Sequence, residues 1–282
     1  MSEELLWRRL SAELDRQVAG LPAVAGLCVR DLTTDRQIAI HADELFPTAS
    51  MIKIHILARM MQRVEAGELD LTQRIRIDQA VRVPGSGVLT YFDDPEDLTM
   101  RDVAILMIIV SDNTATNLCI DWATIDGTNA MLRKLGLTKT TLRRKMQDHA
   151  SVLRGDENVA SPAEGVQMLM ALHRGEGLSR FVCDETLKIL KKPKRGWIAE
   201  GLPQDVLIAN KPGGMDRIKT DAAIVYLKRR PYAICVMTKY GPPDRSVAER
   251  FIADVSRTVY GYLATLDVTS PYGQGVPPDL LR

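Results

Sequence analysis

The sequence lacks several features that would narrow its chemistry at once. No apolar run approaches the ~18 residues a membrane-spanning helix needs, and the longest candidate, Val103 to Val110, has the length of a core helix. Net charge is nearly absent. Lys and Arg number 37 against 36 Asp and Glu, leaving +1, so there is no global electrostatic case for nucleic acid or an anionic membrane as partner. Cysteine is scarce. Cys28, Cys119, Cys183 and Cys235 form no C-x-x-C pair, and no histidine stands at ligand spacing beside one, so no metal site is expected. Each lies in an apolar segment, where a thiol packs as a small hydrophobe. Their even number leaves disulfides open, and their wide spacing lends them no support. Internal repeats and low-complexity segments are missing. No organic cofactor is called for. The first ten residues, Met1 to Leu10, carry acidic side chains and no apolar h-region, which predicts no signal peptide and a cytoplasmic location.

What is present is ordinary globular material: 282 residues, 45% hydrophobic and 26% charged, enough for one large domain or two lobes sharing a core. Basic clusters at Arg143-Arg144-Lys145 and Lys191 to Arg195 read first as solvated faces. Leu6, Leu10, Leu14 and Val18 repeat at helical spacing over residues 3 to 19. Val24 to Arg30 and Gln37 to His41 read as a hairpin with Thr33-Thr34-Asp35 at its tip. Helices are expected over Ser50 to Ala66, Thr99 to Val110 (Thr99 capping, Asp102 in the first turn), Asn113 to Trp122, Gly127 to Leu135, Pro162 to His173 and Ser179 to Leu190. Strands return at Val206 to Asn210, Thr220 to Leu227 and Tyr232 to Thr238. A helix follows from about Ser246 to Ala264, then an irregular Pro- and Gly-rich tail. The pattern predicts an α/β (α+β) fold. Residues 1–47 and 196–282 would build an antiparallel sheet lobe flanked by terminal helices, and residues 48–195 an all-helical lobe. Both would form one structural unit, with a small-molecule site between them.

Three short motifs could carry chemistry. In Ser50-Met51-Ile52-Lys53, helical i, i+3 spacing brings the Lys53 amine within reach of the Ser50 hydroxyl. A serine hydroxyl becomes a nucleophile only when a base takes its proton, and lysine serves only if burial or nearby positive charge lowers its pKa. About one S-x-x-K is expected by chance in such a chain, so alone this reads as a helix start. Its setting after Phe46-Pro47-Thr48-Ala49 would put the Ser50 N–H among unpaired first-turn donors, where it can help hold a developing oxyanion. Ser111-Asp112-Asn113 follows the apolar helix. It reads as a capping turn, and a serine there can also shuttle a proton; both can hold. Lys211-Pro212-Gly213-Gly214 follows a strand. It reads as a bulge or turn on an edge strand, or as open backbone beside a cation, with the Gly214 N–H a second oxyanion donor and Lys211 an attractor of carboxylates.

In that order the three motifs resemble the S-x-x-K, S-D-N, K-T-G signature of class A β-lactamases and penicillin-binding proteins, over about residues 20 to 265. Pro84-Gly85-Ser86-Gly87, Asn113 to Leu118, Gly136-Leu137 and Asp221 to Val225 add to the likeness. The resemblance implies the two-lobed fold. It makes Ser50 the acylated nucleophile, Lys53 its base or relay, Ser111 the proton donor to the leaving nitrogen, and Lys211 the holder of Ser111 and of the substrate carboxylate. Asn113 would bind the substrate's side-chain amide, with Gly213 and Gly214 also lining the substrate and the N–H groups of Ser50 and Gly214 forming the oxyanion hole. Pro212 departs from the usual Ser or Thr. Met146 falls where the family's E-x-x-L-N glutamate, which activates the deacylating water, is expected. Asp148, His149 or Glu157 are the substitutes at hand, and each also reads as surface loop.

Two function classes follow. One is an enzyme that completes turnover on a β-lactam, a related cyclic amide, or another small ester, amide or peptide. The other is a penicillin-binding-like protein that acylates and releases slowly. A cytoplasmic location would disfavour antibiotic defence, and a purely structural protein would have little use for Ser50, Lys53, Ser111 and Lys211 together. The expected partner is a small acyl compound. The sequence is silent on oligomeric state.

Overall fold

A computed structural model of the chain describes residues 2–93, 97–277 and 279. Its packing separates two compact units: residues 1–49, 161–169 and 195–282, and residues 50–160 and 170–194.

The first unit is built on a five-stranded antiparallel sheet. Its strands are β1 (Val24–Asp31), β2 (Gln37–Ile40), β3 (Ile208–Met215), β4 (Ile218–Val225) and β5 (Tyr232–Lys239), in the order β2-β1-β5-β4-β3. The expected hairpin is present, with Leu27 opposite Ile40. Its turn is tied by the wholly buried Asp31, which accepts from the N–H groups of Thr33 (2.8 Å) and Thr34 (3.1 Å) and pairs with Arg230 at 2.8 Å. Helices α1 (Ser2–Gly20) and α10 (Arg245–Asp267) bury one face of the sheet. The α1 stripe Leu10, Leu14 and Val18 meets Ile252, Val255, Val259 and Leu263 of α10, over Leu27, Val29, Ile234 and Val236 of the strands. That is the outcome expected when two amphipathic helices cover one side of a period-2 sheet. Cys28 and Cys235 stand directly opposite each other in the β1–β5 ladder, alternating out of this cluster. All four cysteines are free thiols in buried positions, and burial pushes Cys28 up to about 12.

One strand runs well past its expected end. β3 runs on to Met215 and carries Lys211-Pro212-Gly213-Gly214 inside it, where a strand ending at Asn210 was expected. The register explains this: Lys211 pairs with Ala222, Pro212 with Asp221 and Gly214 with Lys219. Pro212 is tolerated because β3 is an edge strand, paired only with β4.

The second unit is helical: α2 (Lys53–Glu65), α3 (Met100–Ile109), α4 (Asn113–Ala123), α5 (Ile125–Lys134), α6 (His149–Leu153) and α8 (Arg180–Leu190). The helix α7 (Pro162–Arg174) is divided, its first half grouping with the sheet unit, where the sequence reading had assigned it to the helical part. The Ala163 N–H donates to Ala42 O at 2.9 Å. A short helix α9 (Trp197–Glu200) belongs to the sheet unit. The caps follow the sequence. Thr99 Oγ1 accepts from the Asp102 N–H (3.1 Å), and Asp102 returns the bond to the Thr99 N–H (2.9 Å), a complete capping box. Ser179 caps α8 through the Val182 N–H at 3.2 Å. No helix of the described residues is long and apolar enough to cross a membrane.

Helix α2 is the hub of this unit. It packs against α3, α4, α5 and α8, and Ile54, Ile56, Leu57, Ala58, Met60 and Met61 are buried nearly all round it, the signature of an interior helix. His55 lies among them, 1% exposed. Burial pushes its imidazole down to about 4, opposed weakly by the Ile52 carbonyl. The unfolded chain therefore takes up a proton near pH 6.5 that the native state refuses until about pH 4. The stability held above pH 6.5 is lost as pH falls through that window, by about 3 kcal/mol. Urea melts at pH 7, 5.5 and 4.5 should show that slope in the wild type and a flattened one in His55→Leu. Equal slopes would show that other groups govern acid stability.

Candidate active site

Ser50 sits in a 3₁₀ turn (Ala49–Ile52) that leads into α2, not in the first turn of an α-helix as the sequence reading had it. The α-helix begins at Lys53, with Ile52 at its N-cap and no side-chain cap. The turn is entered through Ala49 at φ +46°, a left-handed backbone that a non-glycine residue adopts at a cost of order 1 kcal/mol. The preceding Thr48 is buried, and its carbonyl accepts from Thr220 Oγ1 at 2.9 Å. A 3₁₀ turn stacks residues three apart, so Lys53 follows Ser50 by one tight turn. Ser50 itself is half-buried.

Lys53 is 0% exposed. Its Nζ donates to the Ser111 carbonyl at 2.8 Å and to Ser111 Oγ at 3.0 Å. A buried lysine amine is costly unless hydrogen-bonded. Here the partner is a second hydroxyl-bearing residue, so protons can pass between the two side chains. The structure thus brings Lys53 and Ser111 together on the helical unit, where Ser50 precedes Lys53 by one turn and Asn113 lies two residues beyond Ser111.

Ser111 occupies a strained hinge. Helix α3 ends at Ile109 with Val110 as its C-cap, Ser111 has φ +56°, and Asp112 is the N-cap of α4. The cap is Asp112, and the Ser111 hydroxyl turns to Lys53 instead. Asp112, 2% exposed, does more than cap. One carboxylate oxygen accepts from the Ala115 N–H (2.9 Å), the other from Val88 (2.7 Å) and Leu89 (2.9 Å). Gly87, at φ +113°, passes so close to Asp112 that an added Cβ would lie 2.1 Å from Oδ2. The Pro84 to Leu89 segment is therefore fastened to the start of α4. Asn113 completes the attachment: its N–H donates to Ser86 O (2.9 Å) and its Nδ2 to Pro84 O (3.1 Å).

The third motif lies on β3 of the sheet unit. Lys211 is 1% exposed and its Nζ donates to Pro212 O at 2.9 Å. Gly213 is buried and its carbonyl accepts from Thr220 Oγ1 at 3.2 Å. Gly214 is exposed, and a Cβ there would meet Trp197 at 3.3 Å.

The segment 142–158 forms a loop with a closed neck. Arg144 pairs with Glu157 at 2.6 Å, and Asn158 Oδ1 accepts from the N–H groups of Arg143 (2.7 Å) and Arg144 (3.1 Å). Glu157 also accepts from the Asn158 N–H at 2.9 Å. Asp148 caps α6, taking the Ser151 N–H (3.0 Å) and hydroxyl (2.7 Å). Those hydrogen bonds, the hydroxyl's first, hold its carboxyl below the usual carboxylate range. Both carboxylates proposed from sequence as substitute bases are thus engaged in shaping the loop, and the His149 side chain lies outside the described residues. Met146 is held from both sides by Asn117 of α4: its N–H donates to Asn117 Oδ1 (2.7 Å) and its carbonyl accepts from Nδ2 (3.2 Å). Asn117 was not assigned a role from sequence. The available signal was an asparagine inside a helix, a poor helix former that needs another reason to be there. Among the described residues no cluster of His, Cys, Asp and Glu could hold a metal ion.

Comparison with known proteins agrees with the geometry. The sequence profile of the beta-lactamase enzyme family matches residues 8–263. The beta-lactamase regulatory protein BlaB of Streptomyces cacaoi is 30% identical over 121 residues, 43% of this chain and 39% of that protein. The imipenem-hydrolyzing beta-lactamase of Enterobacter cloacae is 25% identical over 240 residues, 82% of each chain. An acyl-enzyme complex of a PBP-A variant with penicillin G superimposes with a TM-score of 0.80 at 28% identity, covering 90% of this chain and 96% of that one. A profile match over most of the chain, and a fold shared across nine-tenths of it, establish that the chain belongs to the beta-lactamase enzyme family, as a serine β-lactamase-like hydrolase.

Proposed function

We propose that this protein opens the amide bond of a β-lactam or a related cyclic amide through an acyl-enzyme on Ser50. The observation that carries the reading is the wholly buried Lys53 amine, which follows Ser50 by one turn and is hydrogen-bonded to Ser111 Oγ at 3.0 Å. Ser50 Oγ attacks the carbonyl carbon and gives its proton to Lys53. The C–N bond breaks, and the leaving nitrogen takes a proton through Ser111. The result is an ester on Ser50, which water hydrolyses to a carboxylate and free enzyme. The N–H groups of Ser50 and Gly214 are the proposed oxyanion donors. Asn113 is proposed to bind the substrate's side-chain amide, and Lys211 the substrate's carboxylate. The hydrolytic step is proposed to be slow, because Met146 offers no proton acceptor and Asp148 and Glu157 are otherwise engaged.

The test is intact-mass spectrometry after addition of a penicillin and a cephalosporin, with peptide mapping of any adduct. A mass increase on the peptide containing Ser50, persisting for minutes or longer, is the expected result. An adduct mapped elsewhere, or intact drug and unmodified protein, would overturn the assignment and move the search to small esters, linear amides and peptides.

A further inference from the structure

Thr220 of β4 is wholly buried and takes no part in the proposed reaction. Its hydroxyl nevertheless holds two backbone carbonyls, Thr48 O at 2.9 Å and Gly213 O at 3.2 Å. A threonine hydroxyl has one proton to give, so the two carbonyls share it in a three-centre bond. Each carbonyl has a consequence one peptide along. Gly213 and Thr220 stand directly opposite in the β3–β4 ladder. In an antiparallel ladder the N–H and C=O of one residue face the partner strand, and those of the next residue face away. The Gly213 carbonyl is turned to β4, so the Gly214 N–H is turned outward. The two belong to one planar peptide and move together. Because β3 is an edge strand, the sheet offers that N–H no partner. The other carbonyl, Thr48 O, precedes the left-handed Ala49 (φ +46°) and the turn that carries Ser50. Thr48 is wholly buried as well, and its own hydroxyl donates to Ala49 O at 3.3 Å. The Ala49 carbonyl shares its peptide with the Ser50 N–H. Two threonine hydroxyls thus form a short relay, Thr220 to Thr48 and Thr48 to Ala49, around a backbone conformation that non-glycine residues hold only where surroundings enforce it.

We propose that Thr220 is a positioning residue for acyl transfer: its hydroxyl, with that of Thr48, orients the Gly213–Gly214 and Ala49–Ser50 peptides, whose N–H groups are the two oxyanion donors. This rests on acylation at Ser50 and deepens that reading. Neither threonine touches the reacting atoms. Removing an oxyanion donor outright costs about 10² to 10³ in rate, and loosening the peptides that carry both donors costs less. The same negative oxygen develops when the ester forms on Ser50 and when water opens it, so both steps feel the loosening. A threonine kept only for packing would give way to valine, which has the same shape, with no effect on the rates of a folded chain.

The experiment follows acylation of the full chain by penicillin G over a range of drug concentrations, by intact mass, and then the lifetime of the adduct once free drug is removed. Thr220→Val should lower the limiting acylation rate about tenfold and lengthen the adduct lifetime by a similar factor, with the half-saturating concentration changed by less than about twofold. Thr220→Ser, which restores the hydroxyl, should recover most of both losses. Thr48→Val leaves both Thr220 bonds in place and should slow the two steps about threefold. Wild-type rates in a folded Thr220→Val would assign Thr220 a merely structural role and overturn the proposal. So would a change confined to one of the two steps or to the half-saturating concentration, or a serine variant as slow as the valine one. If Thr220→Val does not fold, wild-type rates in Thr48→Val overturn the proposal by themselves. A wild-type chain that forms no adduct on Ser50 would instead overturn the Ser50 reading, and this inference with it.

Discussion

Ser50→Ala is expected to remove the acyl adduct entirely, and Lys53→Met to slow its formation by ~10² to 10⁴, the range in which positioned general-base help usually falls. Methionine is chosen because Lys53 is wholly buried on the hub helix. Alanine would leave a cavity costing ~2 to 5 kcal/mol, whereas methionine preserves most of the stem volume and deletes the amine. The lost amine also leaves the Ser111 carbonyl and hydroxyl without the donor that now reaches them at 2.8 and 3.0 Å, so thermal melts should accompany the kinetics. Residues that act as a unit are not additive, and Ser111→Ala added to Lys53→Met should therefore slow acylation little further. A doubly substituted chain slowed by the product of the single effects would show that Ser111 works independently. Wild-type acylation by Lys53→Met would show that another base serves Ser50.

The second large effect is expected at the other end of the reaction. Met146→Glu should shorten the life of the acyl-enzyme, again by ~10² or more if the new carboxylate acts as general base toward water. The expectation rests on backbone geometry. Asn117 holds both the N–H and the carbonyl of residue 146, and those bonds do not depend on the side chain. Glutamate would thus be presented from the same fixed point as methionine. Met146→Gln offers no proton acceptor and should leave the lifetime unchanged. Asn117→Leu, which unfastens the loop from α4, should abolish the gain made by Met146→Glu. An unchanged adduct lifetime in a well-folded Met146→Glu would mean that residue 146 does not face the ester.

Local signals carried much of the fold into the sequence. Thr99 with Asp102, and Ser179, mark helix starts by hydrogen bonds that span only three residues, and the structure has both. The stripe Leu10, Leu14, Val18 named the buried face of α1 before any sheet was available to bury it. What was not legible depended on distant partners. Lys211 to Gly214 reads as a turn until β4 supplies a register for it. Ser50 reads as an α-helical start until the turn after Ala49 imposes a 3₁₀ geometry. The candidate site residues stand out in the sequence as a motif set, whereas the residues that support them do not. The reach of Asp112 to Val88 and Leu89 joins segments more than twenty residues apart. Asp148 and Glu157 show the converse: carboxylates near an expected base position, which the loop's own closure claims.

The burial of every thiol gives this protein an internal clock for unfolding. Cys28, Cys119 and Cys235 are wholly sequestered and Cys183 is nearly so, and desolvation raises all four away from the reactive thiolate. A maleimide can therefore mark the chain only as fast as it opens. Alkylation and acylation add different masses, so a single spectrum would record how many molecules have reacted with drug and how many have opened. Each active-site variant would then carry its own stability control in the same tube.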